Sequence, residues 1–327
     1  MRLRKVFRFR MEPTGAQREA LARMAGARRF VWNGALNERK QSYAATGKGL
    51  PAAALSRRLT ERKQQPELAW LKEADSQELQ QVLADLQRAY VNFFEKRARL
   101  PRFKSRKRDR ARFRIPQRVA VVNEQVIVPK IGAVSIRQSQ AIDGTTKSAT
   151  FKRDSRYNWD VTLVSEFDMP DAALPPAEPC AVMGVDLGLK DFAVLSDGSR
   201  IAAPRFYRSG QRKLRRAQRA VARRKLRSAN RAKAQQRVAR VQAKTANQRK
   251  DFIHKVTTEL VRNYEGVCIE DLSVQGLAKT KLAKSVLDAG LGEFRRQLGY
   301  KTIWNRRHLA VIDRCIPPAR PVMRAAR

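Results

Sequence analysis

CAVMGVDLGLKDFAVLSDG, Cys180 to Gly198, decides the reading of the chain. A short apolar run ends at an acid, Asp186. Gly188 then makes a tight turn, and a second apolar run follows from Phe192 to Leu195. A short apolar run bounded by turn residues is the pattern of a buried strand. Asp186 therefore stands near a strand end, and Gly188 lets backbone approach closely there. A carboxylate so placed suits a hard cation such as Mg²⁺, which takes oxygen ligands; it is equally the acid of an ordinary hairpin. A later stretch, GVCIEDLSVQGL, bears on the choice. Val267, Cys268 and Ile269 read as another buried strand, with Glu270 at its end. Two strand-end acids on one sheet are what two-metal phosphodiester cleavage needs, with the ions held ~3.5–4 Å apart. Asp271 points to the opposite face of its strand and is the weaker ligand candidate.

Charge narrows the function classes independently. Lys and Arg number 70 against 30 Asp and Glu, a net charge of +40 over 327 residues. That length allows one to three domains and a sizeable core. Such an excess repels itself unless a polyanion neutralises it, which points to nucleic acid. A membrane is not expected as partner, since no apolar run reaches the ~18 residues of a span and no lipidation signal is visible. MRLRKVFRFRM lacks the apolar region of a signal peptide. Cys180, Cys268 and Cys315 are scattered and form no CxxC pair. Neither a disulfide framework nor a zinc site is expected, and a cytoplasmic setting fits. No Ser–His–Asp or Cys–His arrangement is visible; His254 reads as structural.

Residues 2 to 11 alternate, with Leu3, Phe7, Phe9 and Met11 on one face and Arg4, Arg8 and Arg10 on the other, as a strand with one basic face would. Thr14 and Gln17 form a capping-box pattern for a helix to about Ala25. Gly26 suggests a break, and a second helix runs from Ala27 to Tyr43, with Phe30 and Trp32 as core. Further helices are expected over Ala52–Lys63 and Ser76–Lys96, the latter with Leu79, Leu83, Leu86, Tyr90 and Phe93 at helical spacing. Arg97 to Arg118 carries eleven basic residues and one acid, Asp109. Arg102, Lys104, Arg106, Lys107, Arg110 and Arg112 are its candidate phosphate contacts. Phe103 and Phe113 are either base-stacking rings or core anchors. Residues 119 to 167 read as short strands, the pattern of a small barrel. Residues 169–179 hold four prolines and read as a linker.

From Arg205 to Lys250 there are 18 Lys or Arg and no acid. A basic helical hairpin is expected over 205–262, with a break near Ser228 and a thin apolar seam through Leu214, Val221, Val238, Val241 and Phe252. It is either a solvated helix pair or a polyanion-binding surface. The absence of i,i+4 acids favours the second. Arg212, Lys213, Arg215, Arg216, Arg223, Arg224, Lys225, Arg249 and Lys250 are its candidate contacts. Leu291–Trp304 is expected to be a helix with Phe294, Leu298 and Ile303 inward, and Leu309–Ile312 a buried strand.

GVDLGLKDFAVLSDG and IEDLSVQGL resemble the first and second RuvC motifs of the TnpB (OrfB) family. RFVWNGALNERK, PRFKSRKRDRARFRIP, NQRKDFIHK and SVLDAGLGEFRRQLGYKTIW agree with it in order. The resemblance spans Met1 to about Arg314. It implies an α+β multidomain fold. Residues 1–12 and 97–168 would form a wedge-like β-barrel interrupted by a helical recognition lobe, 13–96. Residues 180–327 would form an RNase H-like (RuvC) domain with the basic hairpin inserted. It also implies an RNA-guided, Mg²⁺-dependent DNA endonuclease with Asp186 and Glu270 as catalytic ligands, a noncoding guide RNA and double-stranded target DNA as partners, and a bacterial, nucleoid-associated setting. The family's zinc ribbon and third acidic motif have no counterpart here: the chain runs CIPPARPVMRAAR after Arg314, and Asp313 does not match the third motif. Impaired cleavage is the resulting expectation, with a nuclease-dead RNA-guided repressor or a non-specific basic nucleic-acid binder as alternatives.

Overall fold

The computed structural model describes residues 1–169, 178 and 181–312. The expected linker falls almost wholly outside the described residues, as do Cys180, Asp313 and Cys315. The chain divides into two compact units, Met1–Asp171 and Ala172–Arg327.

The first unit joins an antiparallel sheet to a set of helices. β1 (Arg2–Met11) buries Phe7, Phe9 and Met11, the face expected from its alternation. Its basic face is answered across the sheet by β7 (Trp159–Asp168), where Arg8 and Arg10 reach Asp160 at 2.6 and 2.8 Å and Arg4 reaches Glu166 at 2.7 Å. The remaining strands are β2 (Arg112–Ile115), β3 (Ala120–Val122), β4 (Gln125–Val128), β5 (Gly132–Arg137) and β6 (Thr145–Arg153), in the order β2-β6-β7-β1-β5-β4-β3. β3 turns into β4 through Asn123 and Glu124, both at positive φ (47° and 57°), as a two-residue hairpin demands. Among the described residues no pairing joins β2 to β3. The expected barrel is thus an open seven-stranded sheet, since its two short outer strands lack the partner that closure needs.

Helix α1 (Gly15–Thr46) starts at the predicted capping box: Gln17 N–H donates to Thr14 Oγ1 and Thr14 N–H to Gln17 Oε1. It does not break at Gly26. Leu21, Met24 and Ala25 pack into the sheet core, while Ala27, Val31, Trp32 and Leu36 pack into a second core with α2 (Ala52–Gln64), a 3-10 segment (Pro66–Glu73) and α3 (Ser76–Phe94). A mid-helix glycine costs only about 1 kcal/mol, and burial on both sides of it outweighs that. Phe30 is not core: it sits at the surface, edge-on to Trp70 at 5.3 Å.

The second unit holds a mixed sheet. β8 (Val182–Leu187), β9 (Asp191–Leu195) and β10 (Arg200–Ala202) run antiparallel, and β11 (Gly266–Glu270) and β12 (His308–Ile312) add in parallel, giving the order β10-β9-β8-β11-β12. Between β10 and β11 the chain makes α4 (Phe206–Ala222) and α5 (Ala229–Asn263), with Ser228 capping α5 at the expected break. After β11 come α6 (Val274–Leu277), α7 (Ala283–Ala289) and α8 (Leu291–Trp304). Along α8, Phe294 and Leu298 are buried as expected, but Ile303 is exposed. The inward stripe continues through Lys301 and Thr302, and Ile303 lies about 100° further round. The buried Lys301 ammonium donates to the His254 carbonyl at 2.8 Å and to the Thr257 and Thr258 hydroxyls at 2.7 Å, clamping α8 to α5; burial lowers its pKa to about 8. β12 is the sheet's edge strand, so Val311 and Ile312 are exposed rather than buried.

Glu78 lies fully buried in the helical core, with Arg28 3.7 Å away and no hydrogen-bond partner for either carboxylate oxygen. Burial raises its pKa to about 8, and the Arg28 charge only partly opposes that. A carboxyl whose pKa is higher folded than unfolded binds more protons in the native state. Stability therefore falls as pH rises from the ordinary carboxylate range to about 8. We expect the first unit's Tm to fall between about pH 5 and pH 9, and Glu78→Gln to flatten that decline in pH-dependent calorimetry. An unchanged pH profile in the variant contradicts the assignment.

Candidate catalytic acid pair and nucleic-acid interface

The parallel pairing of β8 with β11 brings the two predicted acids together. Val182 to Val185 lie opposite Gly266 to Ile269, so one further step places Glu270 beside Asp186, on strands ~4.8 Å apart. Gly266 suits this approach: a Cβ there would stand 3.0 Å from Val182 Cγ2, so the Val182 side chain would have to give way. Met183, Val185, Val267 and Ile269 point into the core, so Asp186 and Glu270 share the opposite, open face. They border a recess of about 280 Å³ with Val194, Ser196, Cys268 and Ile312. Ser196 was not singled out from sequence. Its Oγ accepts from Gly184 N–H at 3.1 Å and its own N–H donates to the Gly184 carbonyl at 2.9 Å, tying β8 to β9 two residues before Asp186. Burial pushes the Cys268 thiol pKa up, which keeps it protonated. Asp271 is occupied by Arg295, leaving it out of the pair. Neither the Asp186 nor the Glu270 carboxylate has a hydrogen-bond or ion-pair partner among the described residues. Two adjacent, unpartnered oxygen donors fit a hard cation. No group of three or more His, Cys, Asp or Glu able to hold a metal is gathered among the described residues.

The basic hairpin presents a ridge. Arg208, Arg212, Arg215, Arg216, Arg219 and Arg223 line one side of α4, along a furrow of about 810 Å³. Positions 208, 212, 215, 219 and 223 recur at helical spacing, while Leu214 faces α5. Lys213, Arg224 and Lys225 are exposed as well, as is Lys250 on α5. Arg249 has a different position. Its Nε donates to the Asp288 carbonyl at 2.8 Å and its Nη2 to the Asp288 carboxylate at 3.2 Å. The same buried carboxylate accepts the Tyr207 N–H at 2.9 and 3.0 Å, capping α4 from a remote helix. Arg249 thus serves as an internal fastener. Gly290 belongs to the same joint: at φ +77° it ends α7, and a Cβ there would press on Arg249 and Ile253 at 3.0 Å.

The 97–118 stretch divides similarly. Phe113 is a core anchor on β2, stacked 4.8 Å from Phe151, because strand alternation turns it inward. Phe103 is exposed, with the Lys40 ammonium 4.8 Å from its ring centre. Arg102 pairs with Asp109 at 2.9 Å, and Lys104 is half-buried with its ammonium 3.3 Å from the Trp32 ring centre. Burial, with the nearby Arg28 charge, lowers the Lys104 pKa to about 8. Trp32 Nε1 donates to the Arg102 carbonyl, and Asn33 exchanges two hydrogen bonds with the Lys104 backbone. Arg106, Lys107, Arg110 and Arg112 remain exposed.

A strongly basic α/β chain with two carboxylates side by side on an open sheet face is the class these features define. A family model described as "Probable transposase" (OrfB_IS605) matches residues 161–281, and one described as "Helix-turn-helix domain" (HTH_OrfB_IS605) matches 1–48, where this chain has β1 and α1. The chain is 36% identical over 344 residues to "Putative RNA-guided DNA endonuclease InsQ" of Escherichia coli (strain K12), covering all of this chain and 83% of that protein. It is 38% identical over 323 residues to "Putative RNA-guided DNA endonuclease" of Streptomyces pristinaespiralis, covering 97% and 79%. A solved structure titled "Cryo-EM structure of the Cas12f1-sgRNA-target DNA complex" aligns with a TM-score of 0.46 at 11% identity, covering 95% of this chain and 89% of that one. The chain belongs to the TnpB/OrfB family.

These placements separate fasteners from exposed cations. Lys104→Ala is expected to lower Tm by several degrees while leaving the salt dependence of nucleic-acid affinity unchanged. Arg216→Ala should leave Tm unchanged and reduce the slope of log K against log salt by about 0.7–0.9 for a lost phosphate contact. Thermal melts paired with salt titrations of binding check both.

Proposed function

We propose that this chain is a TnpB-type RNA-guided DNA-binding protein with an RNase H-like (RuvC) Mg²⁺-dependent DNA endonuclease site. The observation that carries the reading is the β8–β11 pairing, which sets Asp186 and Glu270 together on an open sheet face. Asp186 and Glu270 would hold the ion. A bound Mg²⁺ supplies a Lewis acid for the phosphodiester and lowers the pKa of water. The chain's own residues do the rest. Gly266 and Ser196 keep the strands in place, Arg295 holds Asp271 aside, and the α4 arginines hold backbone phosphates. The relatives named as RNA-guided DNA endonucleases support guide RNA and target DNA as partners; a bacterial nucleoid setting is what those partners would imply. In this reading the open sheet of the first unit serves as the wedge, α1 to α3 as the recognition lobe, and the second unit as the nuclease domain.

A second reading, guided binding with weak or no cleavage, is favoured by one observation: two carboxylates, and no larger cluster, gather among the described residues. Fewer carboxylates neutralise and orient fewer metal ions. The deciding experiment uses protein purified with its co-expressed flanking RNA and a plasmid library, with cleavage and binding read in parallel. We expect RNA-dependent binding that survives Asp186→Ala and Glu270→Gln. Mg²⁺-dependent cleavage abolished by both changes establishes the nuclease; guided binding without cleavage establishes the second reading. Binding indifferent to the RNA overturns both and leaves a non-specific basic binder.

A further inference from the structure

Next to the β8–β9 turn lies a pocket of about 270 Å³ that the acid pair does not border. Lys190, Arg205, Arg208 and Lys284 line it, with Phe192 and Asp288. The one carboxylate there is already committed, to the Tyr207 N–H and to Arg249. It leaves the four cations without a counter-charge from that quarter. None of the four has an ion-pair partner among the described residues; Lys284 donates to Gln211 Oε1 at 3.1 Å and stands 5.3 Å from the Tyr207 ring centre. Arg205 carries a second, independent mark. It is a non-glycine residue at φ 48°, ψ 45°, in the left-handed region that β-carbons disfavour. Strained backbone of this kind persists where the surroundings over-determine it and often marks function. Glycine would relieve the strain, yet the position holds an exposed arginine that lines the pocket. The end of α4 is not itself the attraction, since Asp288 already occupies its Tyr207 N–H.

We propose that Lys190, Arg205, Arg208 and Lys284 form a seat for a backbone phosphodiester of a bound nucleic-acid strand, next to the α4 ridge and sharing Arg208 with it. The inference rests on the nucleic-acid reading above and adds a specific anchoring point to it. Four cationic residues lining one small recess suit one phosphate, and guanidinium donors recognise its oxygens with directional, charge-assisted hydrogen bonds.

Arg205→Gly tests the seat without endangering the fold, because glycine accepts the left-handed backbone and only the guanidinium is lost. The full chain is titrated with a labelled single-stranded oligonucleotide at several salt concentrations, beside Lys190→Ala and a ridge variant, Arg212→Ala/Arg216→Ala. We expect Arg205→Gly and Lys190→Ala each to weaken binding roughly tenfold, the size of one lost charge-assisted contact. The salt slope should fall by about 0.7 per contact, and the Tm of Arg205→Gly should be unchanged or higher. Unchanged affinity and slope in both pocket variants, with binding lost in the ridge variant, overturns the seat and leaves the nucleic-acid reading standing. No effect in either set overturns both. Inorganic phosphate is the second probe, at constant ionic strength. If Arg205→Gly abolishes phosphate binding yet leaves oligonucleotide affinity intact, the pocket takes a free anion and the strand assignment falls.

Discussion

A net charge of +40 is the constraint under which the rest of this structure is built. Cations in such excess repel one another, and the few acids must do most of the neutralising work where the chain is close-packed. The structure deploys them accordingly. Asp160 and Glu166 on β7 answer the arginines of β1, Asp85 holds Arg28, and Asp75 caps α3 while receiving Arg118 at 2.8 Å. Asp109 folds the basic loop back on itself through Arg102 and the Ser105 N–H, and Asp288 joins three helices. Against that pattern, the two acids that stand side by side and unpartnered are conspicuous. In a chain so rich in arginine, leaving Asp186 and Glu270 unpaired among the described residues requires that strand geometry point them away from the cations described there.

Strand geometry does so because β8 and β11 pair in parallel. Parallel neighbours need a crossover, and here the crossover is the basic hairpin, α4 with α5, together with β9 and β10. The same connection that builds the sheet therefore also builds the arginine ridge. Lys301 and Asp288 are the joints that set this connection against the sheet. The first clamps α8 to α5 through three hydrogen bonds, and the second fastens α4 and α5 to α7. Both are buried charges satisfied almost entirely by neutral donors or acceptors and one arginine. Removing a partner from such a group leaves an uncompensated charge, which is why these joints are more sensitive than their single ion pair suggests.

Much of this was legible in the sequence where the signal is periodic. The alternation of β1, the capping box at Thr14, the hairpin at Asn123–Glu124 and the strand-end positions of Asp186 and Glu270 are local patterns, and the structure follows them. What failed to read was decided by distant partners. Gly26 looks like a break until Leu21 and Val31 are seen to lie in different cores on either side of it. Ile303 looks inward as long as the stripe through Phe294 and Leu298 is expected to continue on an apolar side chain. The buried positions are instead Lys301 and Thr302, polar residues made acceptable by hydroxyl and carbonyl acceptors on α5 and α8. Lys104 and Arg249 are indistinguishable in sequence from the cations around them, since nothing local announces Trp32 or Asp288. The barrel expected from evenly spaced short strands is an open sheet because closure depends on an edge-to-edge pairing that strand spacing does not encode.

The basic hairpin shows how this division bears on binding. Within α4 no acid lies at i,i+4 to any arginine, so the helix gains nothing from internal ion pairs and loses to like-charge neighbours. What holds it is a thin seam at Leu214 and Ala234, the Asp288 cap at one end, and Arg231 at the other, donating to the Val221 and Arg224 carbonyls. A polyanion laid on the ridge removes the repulsion without disturbing any of those contacts, because the arginines that face it are not the ones used as fasteners. Any ligand that binds the native state alone stabilises it by mass action. For this hairpin, order and occupancy are consequently linked: the arrangement that leaves its arginines free is the one that a bound strand stabilises most.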